Sequence, residues 1–150
     1  MKLTKWDKRF IALAEHVAEW SKDINTKTGA VIVGENNTEI CFGYNGFPRG
    51  ANDDTMERYE RPEKYLWTEH AERNAIFKAA RIGVSLMNTK IYCTYFPCAD
   101  CSRAIIQAGI KTLYAPKPDF EHHKWGDSWS KALSMLNECG VEVKWSNEDK

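Results

Sequence analysis

Apolar residues recur at helical spacing near the start of the chain. Phe10, Leu13, Ala14, Val17 and Trp20 share one face, with Lys, Arg, Asp and Glu on the other. This predicts an amphipathic helix over residues 4–20 that packs on a core, with His16 beside the stripe in a structural or exposed position. A polar loop follows over 21–26. Gly29-Ala30-Val31-Ile32-Val33-Gly34 is a short, mostly β-branched run and reads as a buried strand. Glu35-Asn36-Asn37-Thr38 supplies turn residues, and Glu39-Ile40-Cys41-Phe42-Gly43 the returning strand of a hairpin. Cys41 there reads as a small buried hydrophobe. Two glycines and a proline then break the pattern at Tyr44-Asn45-Gly46-Phe47-Pro48-Arg49-Gly50.

Residues 52–67 are the most polar stretch, with Asp53, Asp54, Glu57, Arg58, Glu60 and Arg61 close together, and predict a surface excursion. A helix is expected over 69–82, with Ala75, Ile76, Ala79 and Ala80 inward and His70 and Glu72 in its first turn. Residues 90–95 read as a strand, and 99–108 as a helix with Ala104, Ile105 and Ala108 inward and Gly109 as its C-cap. A strand over 111–115 ends at Pro116, and a long loop carries His122, His123 and Lys124. A helix over 129–139, capped by Gly140, and an alternating strand over 141–145 close the pattern. Strand–helix–strand alternation after the hairpin predicts parallel strands joined by right-handed crossovers. The expected fold class is α/β, a mixed five-stranded sheet with helices on both faces, and residues 1–150 are expected to form one domain.

Composition narrows the partners. Hydrophobic residues make up 43% and charged residues 28%, both in the globular range. Lys plus Arg and Asp plus Glu are 21 each, so no global positive field attracts a nucleic acid polymer. A mononucleotide stays possible, since its phosphate needs only a few local donors. No apolar run approaches the roughly 18 residues of a membrane helix, and the first residues do not develop a signal-peptide core. The cysteines number five, and two of them form a metal-type pair. Reduced thiols in a cytoplasm explain this better than a disulfide framework.

The candidate chemistry lies in His70-Ala71-Glu72 and Pro97-Cys98-Ala99-Asp100-Cys101. A catalytic zinc takes three protein ligands and keeps one position for water. His70, Cys98 and Cys101 are the natural three, which leaves Glu72 free to move protons. Both motifs fall at strand–helix junctions, where unpaired amides and partial positive charge favour thiolate. Cysteines three positions apart lie on one side of a helical turn, so both sulfurs can reach one ion. His70 and Glu72 are about 200° apart on an ideal helix, but in a first turn one side chain can coordinate while the other reaches over the bound water. A Cys-x-x-Cys with a distant His also fits a structural zinc site, normally closed by a fourth protein ligand. His122 or His123 would be that ligand, though adjacent loop histidines are usually solvated.

His-x-Glu followed by Pro-Cys-x-x-Cys is the signature of zinc deaminases acting on nucleobases. With Ser21-Lys22, Thr28-Gly29-Ala30-Val31-Ile32-Val33 and Gly43-Tyr44-Asn45-Gly46-Phe47-Pro48-Arg49-Gly50, the chain resembles the deoxycytidylate deaminases of the cytidine and deoxycytidylate deaminase superfamily. The Gly-Tyr-Asn-Gly-x-Pro-x-Gly run narrows the resemblance to that branch. It implies the three-layer cytidine-deaminase-like fold, with zinc on His70, Cys98 and Cys101 and Glu72 as proton shuttle. The reaction implied is hydrolysis of dCMP to dUMP and ammonia for thymidylate synthesis. Asn45 matches the position near the substrate sugar, and the Ala71 amide would meet the pyrimidine carbonyl. Lys22, Asn25, Lys27 and Arg49 are the phosphate candidates. In allosteric relatives, commonly homohexamers, Gly43, Tyr44, Asn45 and Gly46 belong to a subunit-interface site for dCTP and dTTP. The chain departs from some relatives: 51–67 lacks the ligands of a second, structural zinc, and Asp23 stands where they carry Cys.

Three rival readings remain open on sequence. One is a deaminase of another pyrimidine nucleotide, such as dCTP or a 5-substituted dCMP. A tRNA-type base deaminase is disfavoured by zero net charge and by the Gly-Tyr-Asn-Gly loop. A zinc-stabilised binding module with decayed chemistry is disfavoured by the presence of Glu72.

Overall fold

The computed structural model describes residues 2–147. Its framework is a five-stranded sheet in the order β2-β1-β3-β4-β5. In chain order the elements are α1 (Lys5–Ala18), β1 (Gly29–Val33), β2 (Glu39–Tyr44), α2 (Lys64–Trp67), α3 (Ala71–Ile82), β3 (Lys90–Cys93), α4 (Ala99–Ala108), β4 (Thr112–Ala115), α5 (Gly126–Glu138) and β5 (Glu142–Trp145). β1 pairs antiparallel with both β2 and β3, while β3–β4 and β4–β5 are parallel. β2, β3, β4 and β5 therefore run one way and β1 alone runs against them. The mixed α/β sheet expected from sequence is the one observed.

Strand alternation divides the core. Ala30, Ile32, Ile91 and Leu113 face one side, where Ala75 and Ala79 of α3, Ile105 of α4 and Ala132 and Leu136 of α5 cover them. Val31, Val33, Tyr92 and Tyr114 face the other side, under Phe10 and Ala14 of α1. Every residue of β1 is buried, as expected for a strand covered on both faces. Gly29 lets α1 lie close: a Cβ there would sit 2.2 Å from the Ala14 carbonyl oxygen. α1 starts on a capping box between Thr4 and Asp7. The buried Asp7 carboxylate also accepts from the Tyr92 hydroxyl at 2.7 Å, which ties α1 to the sheet centre.

Several local expectations change. α1 ends at Ala18, so Trp20 lies past it, 49% exposed, edge-on to Phe42 and Tyr44 rather than in the core. Ala80 is exposed, because the inner face of α3 narrows to Ala75 and Ala79 with Ile76 partly buried. His70 caps α3 from outside the first turn, with extended φ/ψ. α5 starts at Gly126, three residues before the expected Trp129. The polar excursion is partly ordered, with a 3-10 turn over Met56–Tyr59 and the short helix α2. Its neck is closed by mutual backbone bonds between Gly46 and Glu69, at 3.1 and 2.8 Å.

Candidate active site

The carboxyl ends of β2 and β3 and the first turns of α3 and α4 meet at one edge of the sheet, where ligands of open α/β folds usually bind. His70 is the N-cap of α3 and Cys98 the N-cap of α4, both in extended conformation and neither making a side-chain cap hydrogen bond. An N-cap Ser, Thr, Asn or Asp would contribute about 1 kcal/mol at each position. These two helices give that position to metal-ligating side chains instead. Ser128 of α5 supplies part of what is missing, its hydroxyl accepting from the Ala99 amide at 3.0 Å.

The His70 Nδ1 atom lies 3.5 Å from the Cys98 sulfur and 3.4 Å from the Cys101 sulfur. Bonds of about 2.0–2.1 Å to nitrogen and about 2.3 Å to sulfur at tetrahedral angles place such donors about 3.5 Å apart. All three donor atoms lie within 4.8 Å of one another, the one such His/Cys/Asp/Glu group among the described residues. The residues thus fit a zinc ion. His122 does not close the set: its Nδ1 accepts from the Lys124 and Trp125 amides, each at 3.1 Å, and its ring stacks on His123.

The electrostatics suit a cation. The Cys98 thiol is held down to about 4, first by its hydrogen bond with Cys101 and then, against burial, by His70. Cys101 is pushed up by Cys98 and by burial, so the pair shares one proton that a bound cation displaces. His70 is raised, chiefly by its bond to Cys98. Glu72 is 6% exposed, and burial raises its carboxyl, with His70 opposing and Cys98 adding to the shift. A carboxyl whose neutral form is favoured by burial suits a proton-transfer role.

The other expected residues divide into two groups. Ala71, fully buried, opens α3, where the first amides have no intrahelical acceptor and point out of the helix start. The Asn45 side chain is buried and spans the entry loop (residues 21–28, between α1 and β1), its Oδ1 accepting from the Thr28 amide and its Nδ2 donating to the Thr26 carbonyl, both at 2.8 Å. Each of those atoms retains one further bonding position. Lys22 reaches away, its ammonium 3.0 Å from Asp53 and 3.3 Å from Asp54. Asn25, Lys27 and Arg49 are exposed. Gly43, Tyr44 and Gly46 line a separate groove of about 730 Å³ between β2 and α3, with Phe77, Lys78 and Arg81.

Sequence reasoning missed the groups that surround the ligands. Arg73 sits 2.6 Å from Glu69 and 3.7 Å from Asp100. Burial works against its charge, but the cysteine pair and the Glu69 carboxylate outweigh it and raise the guanidinium further. The Glu69–Arg73 spacing of four was a readable signal, with Glu69 just before the His70 N-cap of α3. Glu69 also accepts from the His70 amide at 3.1 Å. Cys93, at the end of β3, is fully desolvated close to Glu72, and burial pushes its thiol well up.

Comparison with known proteins agrees with this arrangement. The model of the cytidine and deoxycytidylate deaminase zinc-binding region matches residues 4–116. The uncharacterized deaminase in the luxG 3′ region of Aliivibrio fischeri is 42% identical over 144 residues, covering 95% of each chain. Human deoxycytidylate deaminase is 38% identical over 147 residues, covering 93% of this chain and 79% of its own. The crystal structure of dCMP deaminase from cyanophage S-TIM5 in complex with dCMP and dUMP superposes with a TM-score of 0.77 at 28% identity, covering 97% of this chain and 99% of the other. Ligand spacing, fold and sequence converge, and the chain belongs to the cytidine and deoxycytidylate deaminase family.

Proposed function

We propose that this chain, acting as one domain, is a zinc-dependent deaminase that hydrolyses dCMP to dUMP and ammonia. The carrying observation is the pairing of three donors at tetrahedral spacing with a buried carboxyl, Glu72, two residues from one of them. Zinc held by His70, Cys98 and Cys101 supplies a Lewis acid and a water of lowered pKa. Glu72 takes a proton from the attacking water and delivers it to the ring nitrogen beside C4. It then carries the second proton to the leaving amine, so that a C4–O bond replaces C4–N4 and ammonia departs. The Ala71 amide donates to the pyrimidine carbonyl, and Asn45 orients the sugar from its fixed position. The exposed Asn25, Lys27 and Arg49 are better phosphate ligands than Lys22, whose ammonium is spent on Asp53 and Asp54.

The same reading makes the protein a cytoplasmic homo-oligomer, a hexamer by analogy with regulated relatives. Gly43, Tyr44, Asn45 and Gly46 are its candidate effector segment for dCTP and dTTP. No helix among the described residues is long and apolar enough to cross a membrane. The test is a panel of cytosine nucleosides and their mono- and triphosphates, followed for ammonia release with and without dCTP. The highest kcat/KM is expected for dCMP; a preference for dCTP or a 5-substituted dCMP overturns the substrate assignment. Glu72→Gln should lower kcat by at least about 10²–10⁴ while zinc content and melting temperature hold. Loss of zinc in that variant would mark Glu72 as structural.

A further inference from the structure

Lys64 and Asp23 form an ion pair at 3.0 Å with side chains only 9% and 4% exposed. Lysine is almost never buried to this degree without a partner. Two apolar residues of similar size would usually be as stabilising as such a pair, so its use here points to geometry rather than stability.

The geometry is specific. Asp23 Oδ2 meets the Lys64 ammonium, while its Oδ1 accepts from the Asn25 amide at 2.8 Å and the Thr26 amide at 3.1 Å. The next contacts belong to Asn45, which holds the Thr26 carbonyl and the Thr28 amide. Beyond them the Gly29 amide donates to Thr94 Oγ1 at 3.0 Å, four residues before Cys98. Residues 25–28 are thereby fixed from both ends at the sheet edge where His70 and Cys98 stand. Their exposed side chains, Asn25 and Lys27, are free to meet a ligand. Among the described residues, the other ion pairs between the excursion and this loop are those of exposed Lys22 with Asp53 and Asp54.

We propose that the Asp23–Lys64 pair is a positioning device by which the polar excursion sets residues 25–28 for the sugar–phosphate end of the substrate. This rests on the dCMP deaminase reading. Burial opposes ionisation of Asp23, yet the Asn25 and Thr26 amides and Lys64 together hold its carboxyl below the ordinary range, so the pair is charged at neutral pH. The pair touches neither the metal donors nor Glu72, and its loss should appear in KM and leave kcat in place.

The test compares Asp23→Asn, which keeps an acceptor for both amides, Lys64→Arg, which keeps the charge, and the double variant Asp23→Asn/Lys64→Met, which leaves no unpaired charge. Amide hydrogen exchange at residues 25–28, zinc content and dCMP kinetics are read on each. Exchange at 25–28 should accelerate in Asp23→Asn and in the double variant, with kcat/KM for dCMP down about ten- to a hundredfold, carried by KM. Lys64→Arg should stay close to the parent. If a single variant fails to fold, the double variant carries the test. A double variant with parental KM overturns the proposal, as does unchanged exchange at 25–28. Absence of dCMP turnover in the parent would instead overturn the substrate reading, while the exchange data would still report on the loop.

Discussion

Asn45 is the side chain on which most of the entry loop converges. Its side-chain amide satisfies the part-buried Thr26 carbonyl and Thr28 amide, and its own backbone carbonyl accepts from the Ser21 hydroxyl at 2.8 Å. Asn45→Ala leaves the part-buried Thr26 and Thr28 groups without this partner, at about 0.5–1.5 kcal/mol for each lost hydrogen bond. A matching drop in urea-unfolding free energy is expected, with zinc retained. Sequence showed the residues that carry their own local signal. His70, Glu72, Cys98 and Cys101 were readable because the motif spacings and the helix starts they mark say what each can reach, although α3 follows the short helix α2 and only α4 follows a strand. Asp23 and Lys64 were not: they are far apart in sequence, and nothing in a polar stretch marks Lys64 as the lysine that turns inward. Asp7 was hidden for the same reason, since its partner Tyr92 lies on β3.

Among the elements, α3 carries the site and β2 determines where it lies. Gly43 permits their contact: a Cβ there would sit 2.5 Å from both the Ala71 carbonyl oxygen and the Ala75 amide nitrogen. Both atoms are helix backbone and cannot swing aside. Gly43→Ala should push the first turn of α3 off the sheet, lowering stability by about 1–3 kcal/mol or more and weakening zinc binding with it. Thermal melting and a zinc competition titration check the two effects. Element types followed from periodicity, but their ends did not. Trp20 fits the helical stripe of α1, yet the helix stops before it and the ring goes to Phe42 and Tyr44. His70 also leaves helical geometry as an N-cap, which resolves the angular conflict with Glu72 expected inside a regular turn.

Across the whole molecule, two buried carboxylates join segments distant in sequence. Asp7 couples α1 to β3, and Asp23 couples the entry loop to α2. For both, burial raises the carboxyl. At Asp7 the Thr4 amide and the Tyr92 and Thr4 hydroxyls outweigh it; at Asp23 the Asn25 and Thr26 amides and Lys64 do. Each therefore ends below its ordinary value, so the unfolded chain binds more protons than the folded one as pH falls through that range. Their stabilisation is complete above the ordinary carboxylate value of about 3.9 and is lost below it, as pH passes each lowered value. The urea midpoint should fall from about pH 5 to about pH 3, and Asp7→Asn and Asp23→Asn should each flatten that fall. Topology was legible at this scale because alternating strand and helix patterns admit few arrangements. The β1–β2 hairpin carried its own local signal, but the antiparallel pairing of β1 with β3 is one that no local pattern encodes.

The pinched neck at Gly46 and Glu69 has an engineering consequence. The span between those two residues leaves from and returns to the same point and touches the 21–28 loop through Lys64, Asp53 and Asp54. Its length or content can therefore change while the imidazole after it stays put. Metal holding and, on the proposal above, the placing of residues 25–28 are thus written in separable stretches of chain. A transplanted excursion would be expected to alter what the enzyme accepts before it alters what the enzyme does.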